Sequence, residues 1–232
     1  MDPVGTVTLP AGPLADVAGA SCAALVADLE RLALDPPRAV LVVAPGGAGG
    51  DDPRVATPAG LRDPAAILAA IAAPTVVAWN GALTGPAAEL ALAADLRVAG
   101  TEATMAFPEV GRGELPCWGG TQRLTRAGGV ALALSMLVAG MPADAPALAR
   151  SGLAHVVADP IEHGRALAAS LASGAPRAQA AARDAVQRGR DLTLADALRL
   201  ESDLNLLLAT TDDRAEGIAA FFEKRPPRFT GE

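Results

Sequence analysis

The stretch PTVVAWNGALTGPAAELALAADLRVAGTEATMAFPEVGRGELPCWGGTQRL, residues 74 to 124, decides how the chain is read. Thr75 to Trp79 is a short apolar run rich in β-branched residues, which predicts a buried strand, and Asn80-Gly81 supplies a turn. Pro86 to Ala94 follows as an alanine- and leucine-rich helix, with proline at or near its first position, where a missing N–H disturbs no helical bond. That places Glu89 about one turn inside. Arg97 to Ala99 and Thr104 to Phe107 read as further short strands. Twenty residues beyond Glu89 a second carboxylate, Glu109, follows Phe107-Pro108. Gly111, Gly113, Gly119 and Gly120 then surround Pro116-Cys117-Trp118. Two carboxylates and a glycine-rich loop in one compact segment suggest a site.

Upstream, Val4 to Leu9 alternates like a short edge strand, and the apolar residues Leu14, Val17, Leu25, Leu29 and Leu32 predict a helix over Leu14 to Leu34, ended by Asp35-Pro36-Pro37. Ala39 to Ala44 is continuously apolar, as a strand covered on both faces should be. Strand, helix and buried strand imply a parallel α/β unit. Residues 45 to 60 form a loop at the carboxyl end of that strand, where open α/β sheets bind ligands. Its GGAGG run lacks the Lys-Ser/Thr of a phosphate loop. Asp63-Pro64 opens a helix that runs to Pro74. Downstream the pattern is helical: Thr121 to Ala127, Val130 to Val138, Ala143 to Arg150, a short strand Ala154 to Val157, then Glu162 to Leu171, Arg177 to Arg188, Thr193 to Leu208, and Thr211 through Phe222. The expected organisation is an α/β core over residues 1–156 and a helical region over 157–232.

Composition narrows the function. A net charge of -7 argues against a nucleic-acid surface. No apolar run approaches the length of a membrane span, and the amino-terminal residues lack the basic and apolar blocks of a signal peptide. Cys22 and Cys117 form neither a disulfide framework nor a metal spacing, so no metal and no redox cofactor is expected. A cytoplasmic enzyme or binding protein is the default. Lys224 is the sole lysine among 19 basic residues, which reads either as a place where a compact ammonium is wanted or as a chance surface lysine. Glu89 alone is ambiguous, since a carboxylate in an early helical turn is also what the helix dipole favours. The glycine pair entering the helix at Thr121 marks close backbone approach, to a ligand or to another segment. Cys117 lacks a Cys-His-Asn signature, so a thiol mechanism is set aside.

The motifs taken together resemble the crotonase superfamily of enoyl-CoA hydratases and isomerases. Asn80-Gly81-Ala82-Leu83-Thr84-Gly85-Pro86-Ala87-Ala88-Glu89-Leu90-Ala91-Leu92 is similar to the family's N-G-x-x-x-G-G-G-x-E-L-A-L. The chain from Met105 through Pro108-Glu109 and Pro116 to Gly119-Gly120-Thr121-Gln122-Arg123-Leu124 resembles its P-E and G-G-T-Q-R-L motifs, and Ala209 to Phe229 its carboxyl-terminal signature. The resemblance implies a ClpP/crotonase-like spiral of ββα units with a helical carboxyl-terminal trimerisation region, assembled as a homotrimer or a hexamer of two trimers. It implies a substrate that is an acyl-CoA or acyl-carrier thioester, coenzyme A entering as part of the substrate. Glu89 and Glu109 fall on the acid/base pair that flanks the alkene in the hydratases; isomerases often keep only one, so the pair favours hydration.

The same resemblance places the N–H of Asp51 in the oxyanion hole and Gly85, Pro86 and Trp118 at the oxyanion hole and substrate. It places Gly50, Phe221 and Lys224 on the CoA. One departure stands out: Pro86 occupies the position whose N–H is the second oxyanion donor, and proline has none. Loss of one such donor costs about a hundred- to a thousandfold in rate. Three readings follow: the Gly85 N–H takes the role, the Thr84 side chain or a water substitutes, or the chain binds acyl-CoA and does slower or different chemistry. A second departure is the short Leu9-Pro10-Ala11-Gly12-Pro13 segment, where relatives carry basic residues toward the CoA phosphates. The leading expectation is an enoyl-CoA hydratase-like lyase; the alternatives are an auxiliary acyl-CoA-binding subunit and another enolate reaction, isomerisation or decarboxylation.

Overall fold

The computed structural model describes residues 3–9, 20–49 and 63–232. Its centre is a five-stranded, wholly parallel sheet in the order β1-β2-β3-β5-β8. The strands are β1 (Val4–Thr8), β2 (Ala39–Ala44), β3 (Thr75–Trp79), β5 (Leu96–Gly100) and β8 (His155–Val157). Every residue of β2 and β3 is buried, as their unbroken apolar runs predict. Because successive side chains alternate across a strand, these residues divide between two cores. Val40, Val42, Val77 and Trp79 face the larger one, packed with helices α1 (Ala20–Leu34), α2 (Pro64–Ala70) and α3 (Pro86–Ala93). Leu41, Val43, Val76 and Ala78 face the other, which is covered by α6 (Pro160–Ala172). That helix can sit so close because Gly164 lies against the sheet: a Cβ there would come within 2.7 Å of the Ala78 Cβ.

A second, three-stranded sheet is ordered β4-β6-β7, from β4 (Ala82–Thr84), β6 (Thr104–Ala106) and β7 (Ala143–Asp144). It is parallel between β4 and β6 and antiparallel between β6 and β7. β4 follows the Asn80-Gly81 turn and is not read from the sequence, because a three-residue strand leaves no periodicity to detect. The two helices read at 121–127 and 130–138 are both present, as the two segments of α4 (Gly120–Leu137), separated at Gly129, whose φ of 82° and ψ of 164° are not helical. The first part of the helix read over Leu14 to Leu34 lies outside the described residues.

The carboxyl-terminal helices are α5 (Ala145–Arg150), α6, α7 (Pro176–Gly189), α8 (Leu194–Leu208) and α9 (Asp212–Glu223). Side-chain caps begin several of them, as Asp159 does for α6, Thr193 for α8 and Thr211 for α9. An internal lock ties α7 to the sheet: Arg183 Nε meets Asp95 Oδ1 at 2.6 Å, and Asp95 Oδ2 accepts from the Thr75 hydroxyl and N–H, each at 2.9 Å. The chain end folds back on α9, where the Asp213 carboxylate accepts the N–H groups of Thr230 and Gly231 at 2.6 and 3.0 Å.

Candidate active site

Glu89 stands on α3, a helix whose eight residues are all buried. Such a helix carries no amphipathic stripe, so it is core on every side and its one carboxylate is buried with it. Gly85 caps it with φ 54° and ψ -124°, and Pro86 takes the first helical position. The Glu89 carboxylate is wrapped by the loop before α4. Its Oε1 accepts the Cys117 N–H at 3.1 Å, and its Oε2 accepts those of Trp118 at 2.7 Å and Gly120 at 2.6 Å. The glycine pair is thereby explained. Gly119 adopts a left-handed φ of 89°, and a Cβ on Gly120 would lie 2.9 Å from Glu89 Cγ. The close approach foreseen at Gly119-Gly120 is to the Glu89 side chain itself, which the sequence alone did not distinguish from packing or a ligand.

Glu109 opens a 3-10 helical turn (Glu109–Arg112) after β6. It is 5% exposed, and neither carboxylate oxygen has a hydrogen-bond partner. Its Oε1 lies over Gly85, where a Cβ would come within 2.7 Å of it. The second carboxylate therefore sits over the cap of the helix that carries the first. Burial pushes the Glu89 carboxyl up to about 7 against the pull of its three N–H donors, and Glu109 nearby adds to the rise. Burial also raises Glu109; its own N–H and Arg112 oppose this, and Glu114 reinforces it. The two carboxyls occupy unlike settings: one is fixed by three donors, the other is buried with its oxygens unengaged.

Around this pair, Gly85 donates its N–H to the Ala106 carbonyl at 3.0 Å, and so ties α3 to β6. Pro86 has no N–H to offer. The end of β2 is clamped to β4, since Ala48 donates to the Ala82 carbonyl at 2.9 Å and accepts from Thr84 at 3.1 Å. This clamp brings the start of the loop to Thr84, one residue before Gly85. Gly50 and Asp51, expected at the CoA and in the oxyanion hole, lie outside the described residues. Trp118 offers the site its backbone N–H, while its side chain is fully buried in the larger core. Phe221 and Lys224 are at the far end of the chain. Phe221 is 78% exposed and lines a cleft of about 530 Å3 with Phe222, Ile218 and Phe229, a cleft to which neither glutamate contributes. Lys224 caps α9 with a φ of 54°, its side chain exposed.

A parallel core sheet, a small second sheet and a buried carboxylate pair at the cap of α3 define a crotonase fold. Residues 60–232 match the family model described as enoyl-CoA hydratase/isomerase, and the chain belongs to that family. Relatives include a bovine (Bos taurus) mitochondrial enoyl-CoA hydratase domain-containing protein 2, 42% identical over 172 residues that cover 71% of this chain and 58% of the relative. The 2,3-dehydroadipyl-CoA hydratase of Escherichia coli K12 is 39% identical over 161 residues, covering 68% of this chain and 63% of that enzyme. The chain thus spans less than two thirds of the length of these relatives. Among solved structures, an enoyl-CoA hydratase subunit I from Geobacillus kaustophilus HTA426 superposes with a TM-score of 0.84 at 32% identity, covering 99% of this chain and 95% of that one. An enoyl-CoA hydratase from Bacillus anthracis gives 0.83 at 26% identity, covering 99% and 96%. No described helix is long and apolar enough to cross a membrane.

Proposed function

We propose that the protein is an enoyl-CoA hydratase-like lyase that adds water across the 2,3 double bond of an enoyl thioester. The observation that carries this reading is the pair of buried carboxylates in unlike environments, Glu89 held by three N–H groups and Glu109 unengaged over Gly85. Glu89, its anion stabilised by those donors and its pKa near neutrality, is the general base that takes a proton from water as the oxygen bonds to C3. Glu109, whose buried carboxylate oxygens have no hydrogen-bond partner, holds the proton that is delivered to C2. The hydroxyl at C3 and the proton at C2 are then both accounted for, one water proton staying on Glu89, and the carboxyls exchange protonation states and reset through solvent.

The thioester oxygen gains charge as C3 is attacked and needs donors. Pro86 supplies none, and the Gly85 N–H is engaged with Ala106. The Asp51 N–H, with Thr84 Oγ1 or a water beside it, completes a weakened oxyanion hole in this reading. Trp118 borders the substrate through its backbone, and Gly50, Phe221 and Lys224 meet the CoA, the last two on the same or a neighbouring subunit. Support for a homotrimer, or a hexamer of two trimers, comes from the apolar residues that α8 and α9 leave exposed, among them Leu194, Leu206, Leu207, Phe221 and Phe222. A cytoplasmic setting belongs to the same reading.

Pro86 and the engaged Gly85 N–H also favour a second reading: an acyl-CoA-binding or auxiliary subunit with little turnover, or an enolate reaction less dependent on the second donor. Loss of the conjugated-thioester absorbance of crotonyl-CoA and longer enoyl-CoA substrates separates them. Steady turnover that Glu89→Gln and Glu109→Gln both abolish is expected. Tight acyl-CoA binding without turnover would sink the lyase in favour of the auxiliary subunit, and a different product from a thioester panel would identify another enolate reaction.

A further inference from the structure

A second cavity, of about 550 Å3, opens on the other side of the catalytic helix. It lies at the carboxyl end of α3, roughly 10 Å along the axis from Pro86 at 1.5 Å per residue, and neither glutamate lines it. Leu92, Leu96, Leu171 and Val186 give it an apolar wall, and four arginines and one acid give it charge. Two of those arginines are engaged. Arg97 donates to the carbonyls of Leu153 and Ala94 at 2.6 and 2.7 Å, and Arg183 pairs with the acid, Asp95, while reaching the Ala69 carbonyl at 2.7 Å.

The other two are not satisfied in this way. Arg123 has no hydrogen bond or ion pair among the described residues, and its Nε is buried. Asp63 and Glu89 act on it only through space, and Arg190 repels it. Arg190 has one loose contact, 3.9 Å to Asp191, an acid that also lies 3.7 Å from Arg126. Two guanidinium groups that line one apolar-walled cavity favour an anion between them. A carboxylate fits, because its paired oxygens match the guanidinium fork and an attached aliphatic chain covers the wall. Inorganic phosphate would satisfy the charge and leave the wall wet.

We propose that this cavity is a second ligand site, which takes a small carboxylate with a short aliphatic chain, its head between Arg123 and Arg190 and its chain along Leu92 and Val186. The site is independent of the thioester reaction proposed above. The test is calorimetric titration of the full chain with sodium hexanoate, without and with a saturating acyl-CoA whose own binding is read in the same experiment. One saturable hexanoate site per chain is expected, unchanged by acyl-CoA, with hexanol and inorganic phosphate binding at least about tenfold more weakly. Arg123→Gln and Arg190→Gln should each weaken hexanoate about tenfold, the usual scale for one charge-assisted hydrogen bond. Arg190 is half exposed at the end of α7, so its variant leaves the packing intact and keeps the test valid if Arg123→Gln folds poorly. Absence of saturable binding, competition between hexanoate and acyl-CoA, phosphate binding more tightly than hexanoate, or full affinity in Arg190→Gln would each overturn the proposal.

Discussion

Glu89 and Glu109 were legible as residues because each sits in a motif with a physical reason: an apolar helix entered through Gly85-Pro86, and a Pro-Glu step before a glycine-rich loop. What the sequence did not disclose is how they are held. Three backbone N–H groups from residues 117, 118 and 120 bind Glu89, and backbone donors carry no side-chain signature. The raised pKa has a consequence for stability. A folded-state value of about 7 against the ordinary carboxyl value of 4.5 means that the folded chain holds the Glu89 proton more tightly than the unfolded chain does. That contribution is complete below pH 4.5 and is lost as pH rises through about 7. Urea unfolding at pH 5 and pH 8 should therefore show the wild type losing on the order of 1–3 kcal/mol relative to Glu89→Gln. An unchanged difference between the two pH values would show that burial does not govern this carboxyl. Pro86 makes the second residue-scale prediction. Pro86→Gly restores an N–H at the head of α3 and should raise kcat by about a hundred- to a thousandfold with a smaller change in KM. A rate unchanged by that substitution would mean that the oxyanion is held elsewhere.

At the scale of elements, α3, the start of α2 and the strands β2, β3 and β5 were readable to within a residue or two, because long apolar runs, Pro at helix starts and Asp63 as a cap leave strong local signals; α2 stops at Ala70, short of the Pro74 at which the pattern ended it. The three-residue strand β4 and the 3-10 turn at Glu109 were not, since their backbone is set by tertiary bonds such as Gly85 N–H to Ala106. Two close approaches between elements give opposite predictions. Gly164 presses α6 on the sheet, and Gly164→Ala should destabilise the fold by about 1–3 kcal/mol through overpacking against Ala78 while leaving kcat unchanged, as thermal melts and kinetics can show. Gly120 presses the loop on the Glu89 side chain, with Pro116 Cβ also 2.9 Å from a Cβ placed there. Gly120→Ala should displace the carboxylate and lower kcat by about a hundredfold or more, since small misplacements of a catalytic group are costly.

For the molecule as a whole, a parallel α/β unit followed by a helical second half came from pattern alone, whereas the crotonase spiral came from the resemblance. Which surfaces meet in an assembly was not legible, because apolar positions on α8 and α9 read equally as core or interface until their exposure is known. Leu206, Leu207, Phe221 and Phe222 are exposed, so sedimentation should show an oligomer that Leu206→Glu with Leu207→Glu breaks apart; a wild type that sediments as a monomer would contradict the proposed trimer. The central claim concerns the whole chain acting on a thioester. The most direct measurement is the initial rate at which the wild-type chain removes the enoyl-thioester absorbance of crotonyl-CoA, with the product identified by mass. The account predicts steady formation of the 3-hydroxyacyl thioester, the mass of one water heavier, and its loss in both Glu89→Gln and Glu109→Gln. A wild type that binds the thioester without forming that product, or a product that still forms when both glutamates are replaced, would contradict it.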